Sequence, residues 1–198
     1  MKKAAEGVDT PVTDVAAEFA RVGRRLVRER LVAANFGNMS VRTGDGFLVT
    51  RTGSFLDEPG EPVFVPLAGE IPPGASSESR LHREVYRRTP HGAIVHAHPV
   101  HAVALSLSCG DRVVPRDSEG QMFAPEIPVV GGAPGSAEMA GNVAEALTRV
   151  RVAIVRGHGT FAAAGTLREA YVLTSLAEHS CAVLLLSGLA GSAAPPGD

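Results

Sequence analysis

The order of apolar and polar positions predicts a helix followed by an antiparallel hairpin. Over residues 12–31, apolar residues recur at helical spacing and arginines occupy the opposite face. Two strand-like segments then follow at 39–42 and 47–50. They flank a Gly-containing turn at 43–46, a pattern typical of a β-hairpin. We therefore expect an amphipathic opening helix and two antiparallel strands.

After a Pro- and Gly-rich stretch with a short apolar run at 63–65, helical and strand-like patterns alternate. Helices are predicted at 78–89, from Pro99 onward, at 136–149 and at 166–187. Strands are predicted at 93–96, 112–114, 127–130, 151–155 and 160–163, the last two as an antiparallel pair. This alternation favours one α/β domain over residues 12–188, with flexible tails at 1–11 and 189–198.

Composition excludes several classes of protein. The 198 residues are 44% hydrophobic and 20% charged. A chain of this length can bury a stable hydrophobic core without a structural disulfide or metal ion. Nineteen Lys and Arg residues balance 21 Asp and Glu residues without a single-sign block, so we expect no nucleic acid or membrane partner. Cys109 and Cys181 form no CxxC motif, and the N-terminus lacks a signal-peptide pattern. These features predict a cytoplasmic protein.

Histidines provide the strongest candidate chemistry. His96 and His98 end an apolar strand, where residues i and i+2 project from the same face. His158 follows a later strand and lies between two glycines. Three imidazoles at neighbouring strand ends are typical of catalytic Zn²⁺, which keeps a fourth position open, although Fe²⁺ or Mn²⁺ also suits them. The remaining histidines are predicted to be ordinary core or surface residues: His82, His91, His101 and His179.

A carboxylate and several small polar residues accompany these histidines. Glu78 lies at a predicted helix start, either as an ordinary first-turn residue or as a general base facing the metal. His82 lies one helical turn later and could orient it. Hydroxyls and free backbone donors could bind a phosphate without lysine, although such segments are also ordinary turns. The candidate segments are Gly37-Asn38, Thr52-Gly53 and Ser76-Ser77.

Five segments together resemble the class II aldolase/adducin family, and within it the branch that cleaves L-fuculose 1-phosphate. They are FGNMSVR (36–42), TRTG (50–53), SSESRLH (76–82), IVHAHPVHAVALS (94–106) and VRGHGTFAAAG (155–165). The family order and spacing extend over residues 14–188. The resemblance implies a single-domain three-layer α/β/α fold around a mixed, largely antiparallel sheet. It also implies a homotetramer with active sites at the subunit interfaces.

The resemblance also implies roles for individual residues. His96, His98 and His158 would be the Zn²⁺ ligands, and Glu78 the acid/base that can touch the metal at rest. The substrate phosphate would be held by Asn38, Thr52, Gly53, Ser76 and Ser77, with Gly37 shaping the turn. The implied reaction cleaves a ketose 1-phosphate reversibly to dihydroxyacetone phosphate and an aldehyde through a Zn²⁺-stabilised enediolate. The only lysines are Lys2 and Lys3, which argues against a Schiff-base aldolase.

Two departures from the family pattern keep alternatives open. The family places a tyrosine, or in epimerases an aspartate, from a neighbouring subunit in the active site, but residues 115–128 contain no tyrosine. Asp117 or Glu119 could replace it. The last tyrosine, Tyr171, lies inside the final predicted helix, whereas the family often places one near the C-terminus. An epimerase, dehydratase or decarboxylase, a non-catalytic adducin-like interaction module and a catalytically silent metal-binding protein remain alternatives.

Overall fold

The computed structural model describes residues 12–188, so the predicted tails lie outside the described residues. Within this range the chain forms eight strands and six helices. The strands are β1 (Asn38–Thr43), β2 (Gly46–Val49), β3 (Val63–Pro66), β4 (Ala93–Ala97), β5 (Arg112–Val113), β6 (Ile127–Val130), β7 (Val152–Val155) and β8 (Gly159–Ala164). The helices are α1 (Val12–Arg28), α2 (Ser79–Arg88), α3 (Val100–Ser106), α4 (Ser118–Phe123), α5 (Ala137–Ala146) and α6 (Leu167–Leu186).

All eight strands join one mixed sheet in the order β3-β2-β1-β4-β8-β7-β6-β5. Among the strands of residues 12–188, only β6 and β7 pair in parallel, so the predicted largely antiparallel sheet is confirmed, including the β1–β2 hairpin and the β7–β8 pair. Near the centre, β4 lies between β1 and β8. His96 pairs with Asn38 on one side and with Phe161 on the other. This register brings the start of β1, the end of β4 and the β7–β8 turn together.

Helices cover both faces of the sheet, which confirms the predicted three layers. Val95 and Ala162 belong to a core shared with α1, α3 and α6. Ile94 and Phe161 belong to a second core shared with α2 and α5. Because side chains alternate along a strand, His96 lies on the same face as Ile94. The His96 ring stacks on Phe161 with 4.0 Å between ring centroids.

Several predicted helix starts are confirmed by their caps. The Ser136 hydroxyl accepts a hydrogen bond from the Met139 N–H, and Thr166 and Glu169 form the expected capping box at α6. Helix α1 ends at Arg28 rather than near residue 31. Within residues 12–188, none of the helices combines the length and apolarity needed to cross a membrane.

Two other helix starts differ from the sequence prediction. The N-cap of α2 is Glu78 rather than a serine, and the Ser76 hydroxyl accepts a hydrogen bond from the Glu78 N–H. The short helix α4 was not predicted. The Asp117 carboxylate caps it by accepting from the Gly120 N–H, a local signal that the sequence does contain.

Candidate metal and phosphate site

One cavity of about 320 Å³ collects all the residues predicted for the metal, the base and the phosphate. They are Gly37, Asn38, Thr52, Gly53, Ser76, Ser77, Glu78, His96, His98 and His158. These residues come from separate segments of the chain, which the sheet and the start of α2 bring together. The cavity therefore has two parts. We call the histidines and Glu78 the imidazole half, and the segments 37–38, 52–53 and 76–77 the loop half.

The three histidines of the imidazole half face one another. His96 and His98 come from the end of β4, and His158 comes from the turn between β7 and β8. Their ring centroids are 4.7, 4.8 and 5.0 Å apart. One ligand atom from each lies within 4.8 Å of the others, so the group could hold a metal ion. The i, i+2 spacing predicts that the first two share a face, and the β4–β8 pairing brings His158, the third predicted imidazole, beside them.

The protonation pattern of His96 fits a cation. Its Nδ1 donates to the Thr160 carbonyl oxygen at 2.9 Å, because a carbonyl can only accept. In a neutral imidazole the Nε2 atom then carries a lone pair. That atom lies 2.8 Å from Nε2 of His98 and 3.1 Å from Oε2 of Glu78. A hydrogen on Nε2 of His98 can satisfy the contact between the two imidazoles. The lone pairs of His96 Nε2 and Glu78 Oε2 still face each other, and a divalent cation between such lone pairs would stabilise them.

Burial keeps His96 and His98 neutral. Desolvation lowers the pKa of His96, although the Glu78 carboxylate opposes the shift. Desolvation, with repulsion from His96 and His158, lowers the pKa of His98 to about 3. Phe36 stacks on the His98 ring, with 5.6 Å between centroids and 10° between planes. Neutral imidazoles have the lone pairs that metal coordination needs.

Glu78 is a buried carboxylate held by three partners. Its Oε2 accepts from the Asn38 amide nitrogen at 2.8 Å and lies beside His96, and its Oε1 lies 3.1 Å from Nε2 of His158. Burial raises the pKa of Glu78, but the hydrogen bonds from His158 and Asn38 oppose that shift, and the net direction is downward. Glu78 is therefore ionised, although it is only 8% exposed.

The His82 side chain does not hydrogen-bond to Glu78, in contrast to its suggested orienting role. Its Nδ1 bonds the Ser40 hydroxyl at 2.6 Å, and that hydroxyl bonds the Tyr86 hydroxyl at 2.8 Å. Desolvation lowers the pKa of His82 to about 3, so this buried ring is neutral. The Glu78 carboxylate is held instead by the side chains around it, and Asn38 can reach it because β1 places this amide directly opposite His96.

The loop half brings backbone and hydroxyl donors side by side. The Thr52 N–H donates to the Gly74 carbonyl and the Ser76 N–H donates to the Thr50 carbonyl, so segments 50–53 and 74–77 run adjacent. A Cβ atom on Gly37 would lie 2.7 Å from the His96 carbonyl oxygen, and its φ is +85°. Only glycine fits this position, which joins the loop half to the imidazole half.

Five further residues line the cavity and were not predicted: Asn35, Phe36, Arg51, Pro134 and Gly135. Arg51 lies within the TRTG segment (50–53), so the sequence itself contains a signal for its position. A Cβ atom on Gly74 would lie 3.1 Å from its guanidinium. Pro134 and Gly135 follow β6, and no local pattern connects them to the histidines.

Asp117 and Glu119 lie outside this cavity. Asp117 caps α4, and Glu119 is exposed on that helix beside α6. Their proposed action in a neighbouring subunit stays a prediction. His91, His101 and His179 also lie outside the cavity. His91 bonds the Leu147 carbonyl, and His101 bonds Glu178, as expected for ordinary residues.

Known proteins share this architecture along nearly the whole chain. The family model of the class II aldolase and adducin N-terminal domain matches residues 17–185 of the sequence. An L-fuculose phosphate aldolase from Methanococcus vannielii is 32% identical over 168 residues, covering 82% of this chain and 91% of that protein. The crystal structure of L-fuculose-1-phosphate aldolase from Thermus thermophilus has a TM-score of 0.86 and 43% identity, covering 93% of this chain and 100% of that one.

A second kind of relative carries a different activity in its name. A methylthioribulose-1-phosphate dehydratase from Acidiphilium cryptum is 38% identical over 103 residues, covering 47% of each protein. The family match and the two aldolases extend much further along the chain than this similarity does. The protein therefore belongs to the class II aldolase and adducin family.

Proposed function

We propose that this protein is a metal-dependent aldolase that reversibly cleaves a ketose 1-phosphate resembling fuculose 1-phosphate into dihydroxyacetone phosphate and an aldehyde. The observation that carries the proposal is the placement of Glu78. Its ionised carboxylate lies between His96 and His158, in a cavity whose other wall is the loop half. The names of the aldolase relatives support the reaction and the phosphorylated sugar.

His96, His98 and His158 would hold the metal, with Zn²⁺ as the proposed ion and Fe²⁺ or Mn²⁺ as alternatives. When bound, the ion supplies Lewis acidity that stabilises negative charge on the substrate's carbonyl and adjacent hydroxyl oxygens. The Thr160 carbonyl fixes the His96 ring by accepting from its Nδ1. This contact leaves Nε2 directed into the cavity.

Glu78 would move the proton at the carbon where the bond breaks or forms. Its present contacts with His96 and His158 make it a weak base. If those ring nitrogens hold a metal, they no longer contact the carboxylate, and its Oε1 would then be available to take the proton from the substrate carbon. The Asn38 amide keeps the carboxylate in place during this change.

The loop half would bind the phosphate. Thr52, Ser76 and Ser77 offer hydroxyls, and the glycine turns offer backbone N–H groups. Arg51 adds a permanent positive charge at the same wall. Residues 12–188 contain no lysine, so no lysine of this part of the chain can form a Schiff base.

A dehydratase acting on a related sugar phosphate is the second candidate. It is favoured by the similarity to a methylthioribulose-1-phosphate dehydratase, and within the described residues neither tyrosine lines the cavity. Product analysis separates the two, because an aldolase cleaves a carbon–carbon bond whereas a dehydratase releases water. An epimerase or decarboxylase would be recognised in the same way. An ionised Glu78 among converging imidazoles argues against a non-catalytic interaction module.

We further propose a cytoplasmic homotetramer in which Asp117 or Glu119 reaches a neighbouring active site. Both residues lie at the start of α4, away from the cavity of their own chain. This geometry is compatible with action in another subunit. Sedimentation velocity tests the tetramer, and complementation between Asp117→Asn and His96→Ala subunits tests the shared site.

The decisive experiment measures metal content and hydrogen–deuterium exchange into dihydroxyacetone phosphate on one sample. Exchange requires the metal, the base and the phosphate site but no aldehyde. We expect exchange that disappears with a chelator and returns with Zn²⁺. Bound metal without exchange would overturn the proposed reaction, and exchange unaffected by complete metal removal would overturn the metal role.

A further inference from the structure

The turn that carries His158 is fastened to the end of helix α3 by the side chain of Arg156. Its guanidinium donates to the carbonyl oxygens of Ser106, Cys109 and Gly110, the last two at 2.9 and 2.6 Å. The Ser106 carbonyl ends α3 and lacks a donor within the helix, and the Cys109 and Gly110 carbonyls lie in the loop that follows. This side chain therefore satisfies groups that would otherwise need water. One side chain therefore joins two segments that are about 50 residues apart in sequence.

Gly157 makes a second contact with the same helix end. Its N–H donates to the Ser106 hydroxyl at 2.9 Å, and Ser106 is fully buried. Its φ is +68°, and a Cβ atom there would lie 3.1 Å from a methyl group of Leu107. The turn therefore rests closely on α3 immediately before His158.

Helix α3 begins two residues after His98. The contacts between the 156–158 turn and α3 therefore connect the segment that carries His158 to the segment that carries His98, in addition to the strand pairing. On the sheet side, Ala97 pairs with Thr160 and sets the distance between β4 and β8. On the helix side, Arg156 sets the position of the turn. From this closed arrangement we propose that Arg156 is a positioning residue that holds His158 in place for metal binding.

The inference rests on the proposed function only in taking the three histidines as metal ligands. A planar guanidinium can donate to several carbonyls at once, whereas a lysine ammonium is a point charge on a flexible stem. Arg156→Lys therefore keeps the charge but should loosen the turn. Residues that orient metal ligands typically contribute about 10–100-fold in metal affinity.

The chain offers a matched control in Arg42. Its guanidinium donates to the carbonyl oxygens of Tyr86, Thr89 and His91 at the end of α2, at 2.6, 2.8 and 2.9 Å. Arg42 lies toward the end of β1 opposite to the end at which Asn38 pairs with His96. Arg42→Lys thus disturbs the same kind of contact at a distance from His96, His98 and His158.

The test titrates metal-stripped full-length protein with Co²⁺ and follows the visible absorption of the bound ion, and it records the unfolding temperature of each variant. We expect Arg156→Lys to bind Co²⁺ about 10–100-fold more weakly and with a changed absorption spectrum. Arg42→Lys should lower the unfolding temperature comparably but leave the affinity within about twofold of the wild type.

Equal Co²⁺ affinities and spectra for wild type and Arg156→Lys would overturn this inference while leaving the metal site intact. A wild-type protein that binds no Co²⁺ would overturn the metal assignment itself, and with it both proposals. If Arg156→Lys fails to fold, Arg156→Gln, whose amide has too few donors for all three carbonyls, replaces it under the same criterion. Its expected loss is about tenfold.

Discussion

The two halves of the cavity are built in different ways. In the imidazole half, His96 is 1% exposed and Glu78 is 8% exposed, and each is held by contacts from a neighbouring strand. In the loop half, Asn38 and Ser76 are also buried, but Thr52, Gly53 and Ser77 are exposed, and Gly37 and Gly53 adopt positive φ. A buried polar group depends on every partner, whereas an exposed donor shares its role with neighbours and water.

This difference leads to an expectation about function. Changes in the imidazole half should remove the metal or the proton transfer outright, because no water can replace a buried ligand or base. Changes in the loop half should weaken phosphate binding in small steps, because several donors act on one anion. The variants below test that contrast.

The largest effect is expected for His96→Ala. Loss of this central ligand should abolish stoichiometric metal binding and reduce proton exchange by about 10,000-fold, because Lewis acidity contributes several kcal/mol to the barrier. Metal analysis and exchange into dihydroxyacetone phosphate measure both effects. His179→Ala, which changes an exposed histidine of α6, is the control and should behave as wild type. Full metal content in His96→Ala would contradict the ligand assignment.

Glu78→Gln should separate the base from the metal. Glutamine has a similar shape but cannot accept the proton, so we expect bound metal with exchange reduced by about 1000-fold. Glu138→Gln, at an exposed position of α5, provides the matched control. The mechanism would be wrong if Glu78→Gln exchanged protons at the wild-type rate.

Ser77→Ala tests the loop half. We expect KM for the phosphorylated substrate to rise about tenfold, as for the loss of one hydrogen bond to a charged group, with kcat nearly unchanged. Steady-state kinetics with dihydroxyacetone phosphate and an aldehyde gives both values. Reactions with unphosphorylated dihydroxyacetone serve as the control, since the substitution should not affect them. An equal effect on both substrates would argue against phosphate contact.

The smallest effect at neutral pH is expected for His82, which lies behind the imidazole half. Burial lowers the pKa of His82 from 6.5 to about 3, so between these values the unfolded chain binds a proton that the folded chain does not. The free energy of unfolding is therefore unaffected by His82 above pH 6.5. Between pH 6.5 and about pH 3 it decreases by about 1.4 kcal/mol for each pH unit, because the unfolded chain binds the extra proton.

His82→Gln removes this titration while keeping a polar side chain near Ser40. Urea unfolding between about pH 7 and pH 5 should show a smaller loss of stability for the variant than for the wild type. His179→Gln again serves as the control, because that side chain is exposed. Parallel curves for His82→Gln and wild type would show that His82 does not titrate as described.

Much of the architecture was predictable because it follows from local periodicity. Alternation along β4 and the i, i+2 spacing located His96 and His98, and the Thr166–Glu169 capping box marked the start of α6. Helix α4 was missed because it has only six residues and contains Gly120, so apolar periodicity cannot reveal it. The family resemblance supplied the layered fold and the roles of Glu78 and the phosphate loops.

Other features depend on pairing between distant segments, which local patterns do not encode. One such feature is the parallel pairing of β6 with β7. Another is the position of Pro134 and Gly135 in the cavity lining. Asn38 was expected to bind phosphate, but in the structure its side-chain amide donates a hydrogen bond to the Glu78 carboxylate. That contact arises because the β1–β4 register places Asn38 opposite His96.

Residue types and their spacing were enough to name the imidazoles, the carboxylate and the small polar loops, because ligand and donor chemistry belongs to the side chains themselves. Distances, burial and charge states required the folded chain. The low pKa of Glu78 and the neutral state of His96 come largely from neighbours that are distant in sequence, such as His158, 80 residues beyond Glu78. Such effects are properties of packing, since desolvation and attraction depend on positions in space and not on order along the chain.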